Sequence, residues 1–138
     1  MELNNPKFVI LHCAYTPDSR NRKFTAKDID QWHKEKGWKG IGYHYFIRGN
    51  GDIEMGRAEF EVGAHVKGHN KDTLGVCYDG SYFPTIEQVH SIIILFRKFR
   101  EKYKIDWADW RGHYEFDSNK ECPGFDMEVF RKVLSKIA

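Results

Sequence analysis

Short apolar runs with the pattern of β-strands recur along the chain. The segment Phe8–Cys13 is continuously apolar up to His12, which predicts a buried strand that delivers a polar side chain at its carboxyl end. Tyr43–Ile47 and Asp52–Met55 flank Asn50-Gly51, a dipeptide that tolerates the positive φ angles of a tight turn. We therefore predict a β-hairpin there. Two further short segments predict strands: Leu74–Tyr78 and Trp110–His113.

Between these strands, three segments have the apolar spacing of amphipathic helices. The first follows Thr25 and Asp28, which resemble a capping box, and it stops at Gly37. The second begins at Thr85 and the third follows Asp126, both of which are residue types that cap helices. The apolar stripes are Val89, Ile92, Ile93, Phe96 and Phe99 in the second helix, and Phe130, Val133, Leu134 and Ile137 in the third.

Length and composition agree with one compact domain. The 138 residues are 41% hydrophobic and 15% aromatic, which is enough apolar surface for one core. Strands and helices alternate without a repeat or a linker. We therefore predict a single α/β domain over residues 1–138, with a central mixed β-sheet of about five strands flanked by about three helices. Three cysteines, an odd number in a domain of this size, indicate thiols or a metal ligand rather than a disulfide framework.

The charge balance and the amino-terminal residues limit the classes of partner. A formal net charge of +2 is too close to balance for a general nucleic-acid binder, so we expect no nucleic-acid partner. The apolar run that follows the polar first residues is six residues long. Because this is too short for a secretory signal or a membrane span, we expect no signal peptide in this sequence and no stable membrane association.

Two histidines and a cysteine at the ends of predicted elements form a candidate metal site. His12 ends one predicted strand, His113 ends another, and Cys122 precedes Pro123-Gly124 in the turn before the last helix. Zinc needs only three protein ligands of these types when one coordination position is kept for water. Spacing alone also allows the other interpretation, in which His12 bonds to backbone and His113 is a solvated loop residue.

Most of the other cysteines, histidines and tryptophans are expected to lie in the core or on the solvated surface, with no part in the chemistry. We interpret Cys13 and Cys77 as small buried side chains of their strands. Trp32 and Trp38 have the spacing of an amphipathic helix and its exit loop, so we expect them to pack the first helix onto the sheet. Three histidines are predicted to lie on the solvated surface: His33, His69 and His90.

Six segments that follow one another over roughly residues 8 to 135 resemble a known family. They are FVILHCAYT, QWHKEKGWKGIGYHYFI, NGDIEMGR, VGAHVKGHN, LGVC and GHYEFDSNKECPGFD. Together they resemble the N-acetylmuramoyl-L-alanine amidases of the second type, a family that includes certain phage lysozymes and the animal peptidoglycan recognition proteins. The likeness is greatest to the compact phage enzymes.

The resemblance implies a zinc amidase that lyses bacterial cell walls, an activity typical of a phage or prophage endolysin. Its cofactor is Zn²⁺, and its reaction is hydrolysis of the amide bond between N-acetylmuramic acid and L-alanine in peptidoglycan. The family's zinc ligands fall on His12, His113 and Cys122, the same three residues that the strand ends favour. Its catalytic residues fall on Tyr43 and Lys120, which are suited to stabilise an oxyanion or to move a proton to the leaving amine.

The same resemblance suggests where substrate binds. His65 and Asn70 lie in VGAHVKGHN, a motif that family members keep near the cleft, and we predict that both bind peptide or sugar. The alternative is that His65 is a loop histidine bonded to backbone. Tyr114 departs from the pattern of related phage sequences, which leaves the substrate contacts in that stretch open.

Two other functions remain as alternatives. The first is a non-catalytic peptidoglycan-binding module of the same fold, and the second is a regulatory protein that binds another protein. Binding-only members of the animal family lack the cysteine ligand, so Cys122 favours an enzyme. The expected partner is peptidoglycan, as a glycan strand with its peptide stem, and the expected state is a monomer. We expect synthesis in the bacterial cytoplasm and action on the cell wall after release, unless a secretion signal has been removed.

Overall fold

Residues 3–17 and 23–137, which are the residues that the computed structural model describes, form five strands and three α-helices. The strands are β1 Phe8–Cys13, β2 Tyr45–Ile47, β3 Ile53–Met55, β4 Thr73–Tyr78 and β5 Trp110–Gly112. The helices are α1 Ala26–Glu35, α2 Ile86–Tyr103 and α3 Met127–Ile137. Along the chain these elements follow in the order β1, α1, β2, β3, β4, α2, β5 and α3. This confirms the predicted α/β class.

The strands form one mixed sheet in the order β3-β2-β4-β1-β5. Strand β1 is parallel to both of its neighbours, β4 and β5, and β2 is parallel to β4. Strand β3 runs antiparallel to β2, as the second strand of the predicted hairpin. Since β1, β4 and β5 run in the same direction, their carboxyl ends lie at one edge of the sheet, where binding sites of such sheets usually form.

Helices cover both faces of the sheet, which explains the continuous apolar run of β1. Val9, Leu11 and Cys13 pack into a core with the apolar sides of α2 and α3. Successive strand residues point to opposite faces, so His12 faces the side on which α1 packs. On that side a smaller cluster includes Ile29 of α1 and Cys77 of β4.

The predicted helix starts are confirmed. Thr25 with Asp28, and Thr85 with Gln88, form complete capping boxes at the beginnings of α1 and α2. Asp126 accepts hydrogen bonds from two backbone N–H groups in the first turn of α3. None of the helices in the described ranges has both the length and the apolar composition that crossing a bilayer requires.

Three strands are shorter than predicted, and in two of them, β2 and β5, the difference falls at a predicted site residue. Strand β2 begins at Tyr45, so Tyr43 lies in the segment that leads into it. Strand β5 ends at Gly112, and His113 opens a short 3-10 turn. The two side chains are therefore free of the strict alternation that a β-strand imposes on its side chains.

The orientation of α1 differs from the prediction. Its buried residues are Ile29 and His33, whereas Trp32 is 37% exposed and Trp38, in the exit loop, is 41% exposed. Residues four apart lie on the same side of a helix, so His33 follows Ile29 into the interior. The predictions that both tryptophans pack onto the sheet and that His33 is solvated were therefore wrong.

A buried carboxylate joins α2 to the segment after β3. Glu59 is 8% exposed, and its oxygens lie 3.0 Å from Lys98 Nζ and 2.9 Å from Lys102 Nζ. The hydroxyls of Tyr45 and Tyr103 also donate to this carboxylate. Two basic residues of α2 therefore complete this cluster.

Replacing Glu59 by glutamine is expected to destabilise the protein in a pH-dependent way. Burial opposes ionisation, but the hydrogen bonds from the two tyrosines and two lysines outweigh it and lower the pKa of Glu59 from 4.5 to about 2. Because the folded pKa is the lower one, this stabilisation is complete above pH 4.5 and is lost as the pH falls toward about 2. At pH 7 we expect Glu59→Gln to lower the free energy of unfolding by about 1–3 kcal/mol.

Urea unfolding of both proteins at pH 7 and at pH 3 measures this effect. The difference between wild type and variant is expected to shrink at pH 3, because the carboxyl group of Glu59 binds a proton there in the unfolded wild-type chain while it stays largely ionised in the folded protein. An equal difference at the two pH values would contradict the assignment.

Candidate active site

The three predicted metal ligands converge at the carboxyl edge of the sheet. His12 lies near the end of β1, His113 directly follows β5, and Cys122 lies in the turn before α3. Each side chain offers one ligand atom, which is a ring nitrogen for each histidine and the sulfur for the cysteine. These three atoms all lie within 4.8 Å of one another. The backbone N–H of Tyr114 donates to the carbonyl oxygen of Cys122 at 3.0 Å, which holds the turn against the end of β5.

The chemistry of this cluster fits a zinc ion. Two imidazole nitrogens and one sulfur are ligands that zinc prefers, and His12 and Cys122 are buried whereas His113 is half-buried. The hydrogen bond with the Cys13 thiol, followed by burial, raises the pKa of Cys122, so a thiolate here needs a neighbouring cation. Burial lowers the pKa of both histidines, which keeps their imidazoles neutral, as metal binding requires.

The other two cysteines are buried in the sheet, as predicted. Cys13 is 3% exposed and Cys77 is fully buried. Cys13 also contributes its backbone, because its N–H donates to the sulfur of Cys122 at 3.0 Å. A hydrogen bond of this kind favours negative charge on the sulfur.

A cleft of about 370 Å³ opens over the cluster and contains both predicted catalytic residues. The ring of Tyr43 lies 5.1 Å from the ring of His12, measured between centroids. Burial raises the pKa of Tyr43 well above its ordinary value, so its hydroxyl stays protonated at neutral pH and can donate a hydrogen bond. Lys120 is exposed, and after burial its charge is the main cause that lowers the pKa of His113. Lys120 therefore lies on the solvent side of the cluster.

Helix α1 forms a wall of the cleft through residues that the sequence did not single out for this purpose. His33 accepts a hydrogen bond at Nδ1 from the backbone N–H of Gly42 at 2.9 Å, and its ring lies 5.5 Å from that of Tyr43. Burial lowers the pKa of His33 to about 4, which keeps this acceptor nitrogen unprotonated. Trp32, which is 37% exposed, also lines the cleft. The spacing from Ile29 to His33 was the available signal for this buried histidine.

The two predicted substrate-binding residues lie beside the cluster rather than among the residues that line the cleft. His65 is 8% exposed, and its Nδ1 lies 2.9 Å from Nε2 of His12. Burial lowers the pKa of His65, so its imidazole is neutral. The side-chain oxygen of Asn70 accepts from the backbone N–H groups of His65 and Val66, both at 2.8 Å. Substrate binding by this pair stays a prediction, and the contacts observed are made to the protein itself.

Comparison with known proteins identifies the family. The sequence profile of the N-acetylmuramoyl-L-alanine amidases matches residues 2–125. The chain belongs to this family. The amidase is 36% identical over 130 residues to the endolysin of Escherichia phage T7, with 87% of this chain and 82% of the phage protein covered. It is 35% identical to the endolysin of Enterobacteria phage T3 over the same length.

Solved structures share the fold of this amidase. The N-acetylmuramoyl-L-alanine amidase LysC from Clostridium intestinale superposes with a TM-score of 0.84 at 33% identity, covering 98% of this chain and 91% of that one. Drosophila peptidoglycan recognition protein LB superposes with a TM-score of 0.77 at 26% identity, covering 98% and 84%. The family match and these relatives confirm the predicted peptidoglycan amidase function and the predicted architecture.

Proposed function

We propose that this amidase is zinc-dependent, with His12, His113 and Cys122 as the metal ligands and Tyr43 and Lys120 as the catalytic residues. One observation carries the proposal: the three ligand atoms lie within 4.8 Å of one another at a cleft that both catalytic candidates line. The substrate we propose is the peptidoglycan of a bacterial cell wall, cut between the lactyl group of N-acetylmuramic acid and L-alanine.

The ligands and the catalytic residues divide the chemical work. A zinc ion held by these residues would supply Lewis acidity, which would polarise the scissile carbonyl and make water acidic enough to attack at neutral pH. His12 and Cys122 would hold the ion from the buried side, whereas half-buried His113 would hold it from nearer the solvent. The protein side chains thus leave the solvent side of the site to water and substrate.

Tyr43 and Lys120 supply the hydrogen-bond donors that amide hydrolysis needs. The oxygen of water bonds to the carbonyl carbon as that water releases a proton, and negative charge builds on the carbonyl oxygen. The carbon–nitrogen bond then breaks and leaves a carboxyl group on the lactyl side. The leaving nitrogen takes a proton and becomes the free amino group of L-alanine. The protonated hydroxyl of Tyr43 and the ammonium group of Lys120 are donors of the right kind for the oxyanion and for the leaving nitrogen.

Metal removal from the purified protein tests this proposal. We expect the protein as purified to release new L-alanine amino termini from cell walls, and we expect the metal-free protein to release almost none. Adding back one equivalent of Zn²⁺ is expected to restore the activity, whereas Mg²⁺ is not, because hard magnesium prefers oxygen ligands. Elemental analysis must accompany each assay. Full activity in a protein shown to contain no metal would overturn the zinc requirement.

A further inference from the structure

The imidazole of His65 lies within hydrogen-bond distance of His12, the proposed ligand near the end of β1. His65 Nδ1 lies 2.9 Å from His12 Nε2, and His65 Nε2 lies 3.1 Å from Thr73 Oγ1. All three side chains are buried, with exposures of 2% for His12, 8% for His65 and 3% for Thr73. A continuous chain of contacts therefore connects the proposed ligand to the first residue of β4.

The hydroxyl of Thr73 sets the direction of these hydrogen bonds. It lies 2.8 Å from the carbonyl oxygen of His69 and 3.0 Å from that of Asn70. Carbonyl oxygens only accept, so the single hydroxyl proton goes to one of them, and Thr73 Oγ1 accepts from His65 Nε2–H. A neutral imidazole has one N–H group, which leaves His65 Nδ1 as an acceptor. His12 must then donate from Nε2–H, and its free lone pair is at Nδ1.

The backbone around His65 leaves room for its ring at this place. A Cβ atom at Gly75 would lie 2.6 Å from Cγ of His65, and one at Gly63 would lie 2.7 Å from its Cδ2. Real Cβ contacts are not that short, so only glycine is compatible with the ring at both positions. The side chain of Asn70 also fixes the backbone N–H of His65. The ring is thus held from several sides in the orientation that faces His12.

We infer that His65 and Thr73 are positioning residues, which hold His12 in the tautomer whose Nδ1 binds zinc. The inference rests on the proposed zinc site and adds to it the identity of the ligand atom and the residues that select it. Neither residue needs to touch the substrate, because both act through His12. Partners of this kind typically contribute about 10–100-fold to metal affinity.

A matched pair of substitutions at Thr73 tests the chain of hydrogen bonds. Thr73→Val keeps the shape but removes the hydroxyl, so His65 loses the acceptor that keeps its proton on Nε2. Thr73→Ser keeps the hydroxyl and is the control. We expect the valine variant to bind zinc about 10-fold more weakly than wild type, and the serine variant to bind nearly as tightly. Competition with a chelator of known affinity measures both dissociation constants on the full chain.

The metal-free protein gives a second readout, which a loss of packing alone would not change. Long-range proton–nitrogen NMR spectra distinguish the two tautomers of each histidine. In metal-free wild type we expect His12 and His65 both to carry the proton on Nε2, and in Thr73→Val we expect a population of the other tautomer. Thermal unfolding of each metal-free variant confirms that the samples are folded.

The outcomes separate this inference from the proposed function. Wild-type protein that binds no zinc overturns the proposed metal site and the positioning role together. Wild-type protein that binds zinc, alongside a folded Thr73→Val protein that binds it equally tightly, overturns the positioning role alone. A metal-free wild type with the proton of His12 on Nδ1 also overturns it, because that nitrogen would then have no lone pair for the metal.

Discussion

Cys122→Ser is expected to remove zinc and to lower kcat/KM for cell-wall hydrolysis by about a thousandfold or more, since metal assistance lowers the barrier by several kcal/mol. A serine hydroxyl is nearly the same size as the thiol. It can still accept a hydrogen bond from the backbone N–H of Cys13, which lies 3.0 Å from the sulfur in the wild-type protein. It does not ionise at neutral pH, however, so it is a poor zinc ligand. The variant therefore tests coordination while changing the packing little.

Zinc content after dialysis and the release of L-alanine amino termini measure this prediction. His90→Ala is a suitable control, because it removes an exposed histidine of α2 that lies outside the cleft. We expect this control to keep one zinc per chain and wild-type activity. A folded Cys122→Ser protein with full zinc content and full activity would exclude Cys122 as a ligand.

Tyr43→Phe is expected to lower kcat by about 100- to 1000-fold while zinc content stays unchanged. The substitution keeps the ring, which contacts the rings of His12 and His33, and it removes only the hydroxyl. Burial raises the pKa of that hydroxyl, so the wild-type group is a donor at neutral pH. Losing a donor that acts on the transition state lowers kcat more than it raises KM.

Steady-state kinetics on a soluble peptidoglycan fragment, with zinc analysis of the same samples, measure this effect. Tyr82→Phe is the matched control, because it removes the hydroxyl of a tyrosine that is 62% exposed and is not among the residues that line the cleft over the proposed ligands. If Tyr43→Phe hydrolyses the substrate at the wild-type rate and contains zinc, the hydroxyl of Tyr43 has no part in catalysis.

The roles of Tyr43 and Lys120 can be separated with a better leaving group. An anilide releases a weakly basic amine that needs less proton donation than the natural alanine nitrogen. Replacing the residue that protonates the leaving nitrogen should therefore lower kcat less on the anilide than on the natural amide. Replacing the residue that stabilises the oxyanion should lower kcat by the same factor on both substrates. Comparing Tyr43→Phe with Lys120→Met on the two substrates assigns each role.

Local patterns in the sequence were sufficient for much of the fold. The capping boxes at Thr25 and Thr85 depend on residues three positions apart, so they were visible before any tertiary structure was known. The hairpin turn at Asn50-Gly51 depends on the positive φ of 94° that Gly51 adopts. The apolar run of β1 likewise reflects burial on both faces of the sheet. The capping boxes and the hairpin turn are decided by neighbours along the chain, whereas the apolar run shows in the sequence because the strand is buried on both faces.

The sequence by itself also determined which residue types were available for zinc, and the family resemblance selected His12, His113 and Cys122 among seven histidines and three cysteines. Only the tertiary structure decided that β5 pairs with β1, which brings two of these residues together. It also decided that the side chain of His33 is buried and that His65 lies within hydrogen-bond distance of His12. The physical reason is that strand pairing and helix rotation depend on contacts between segments far apart in the chain, which local periodicity does not encode.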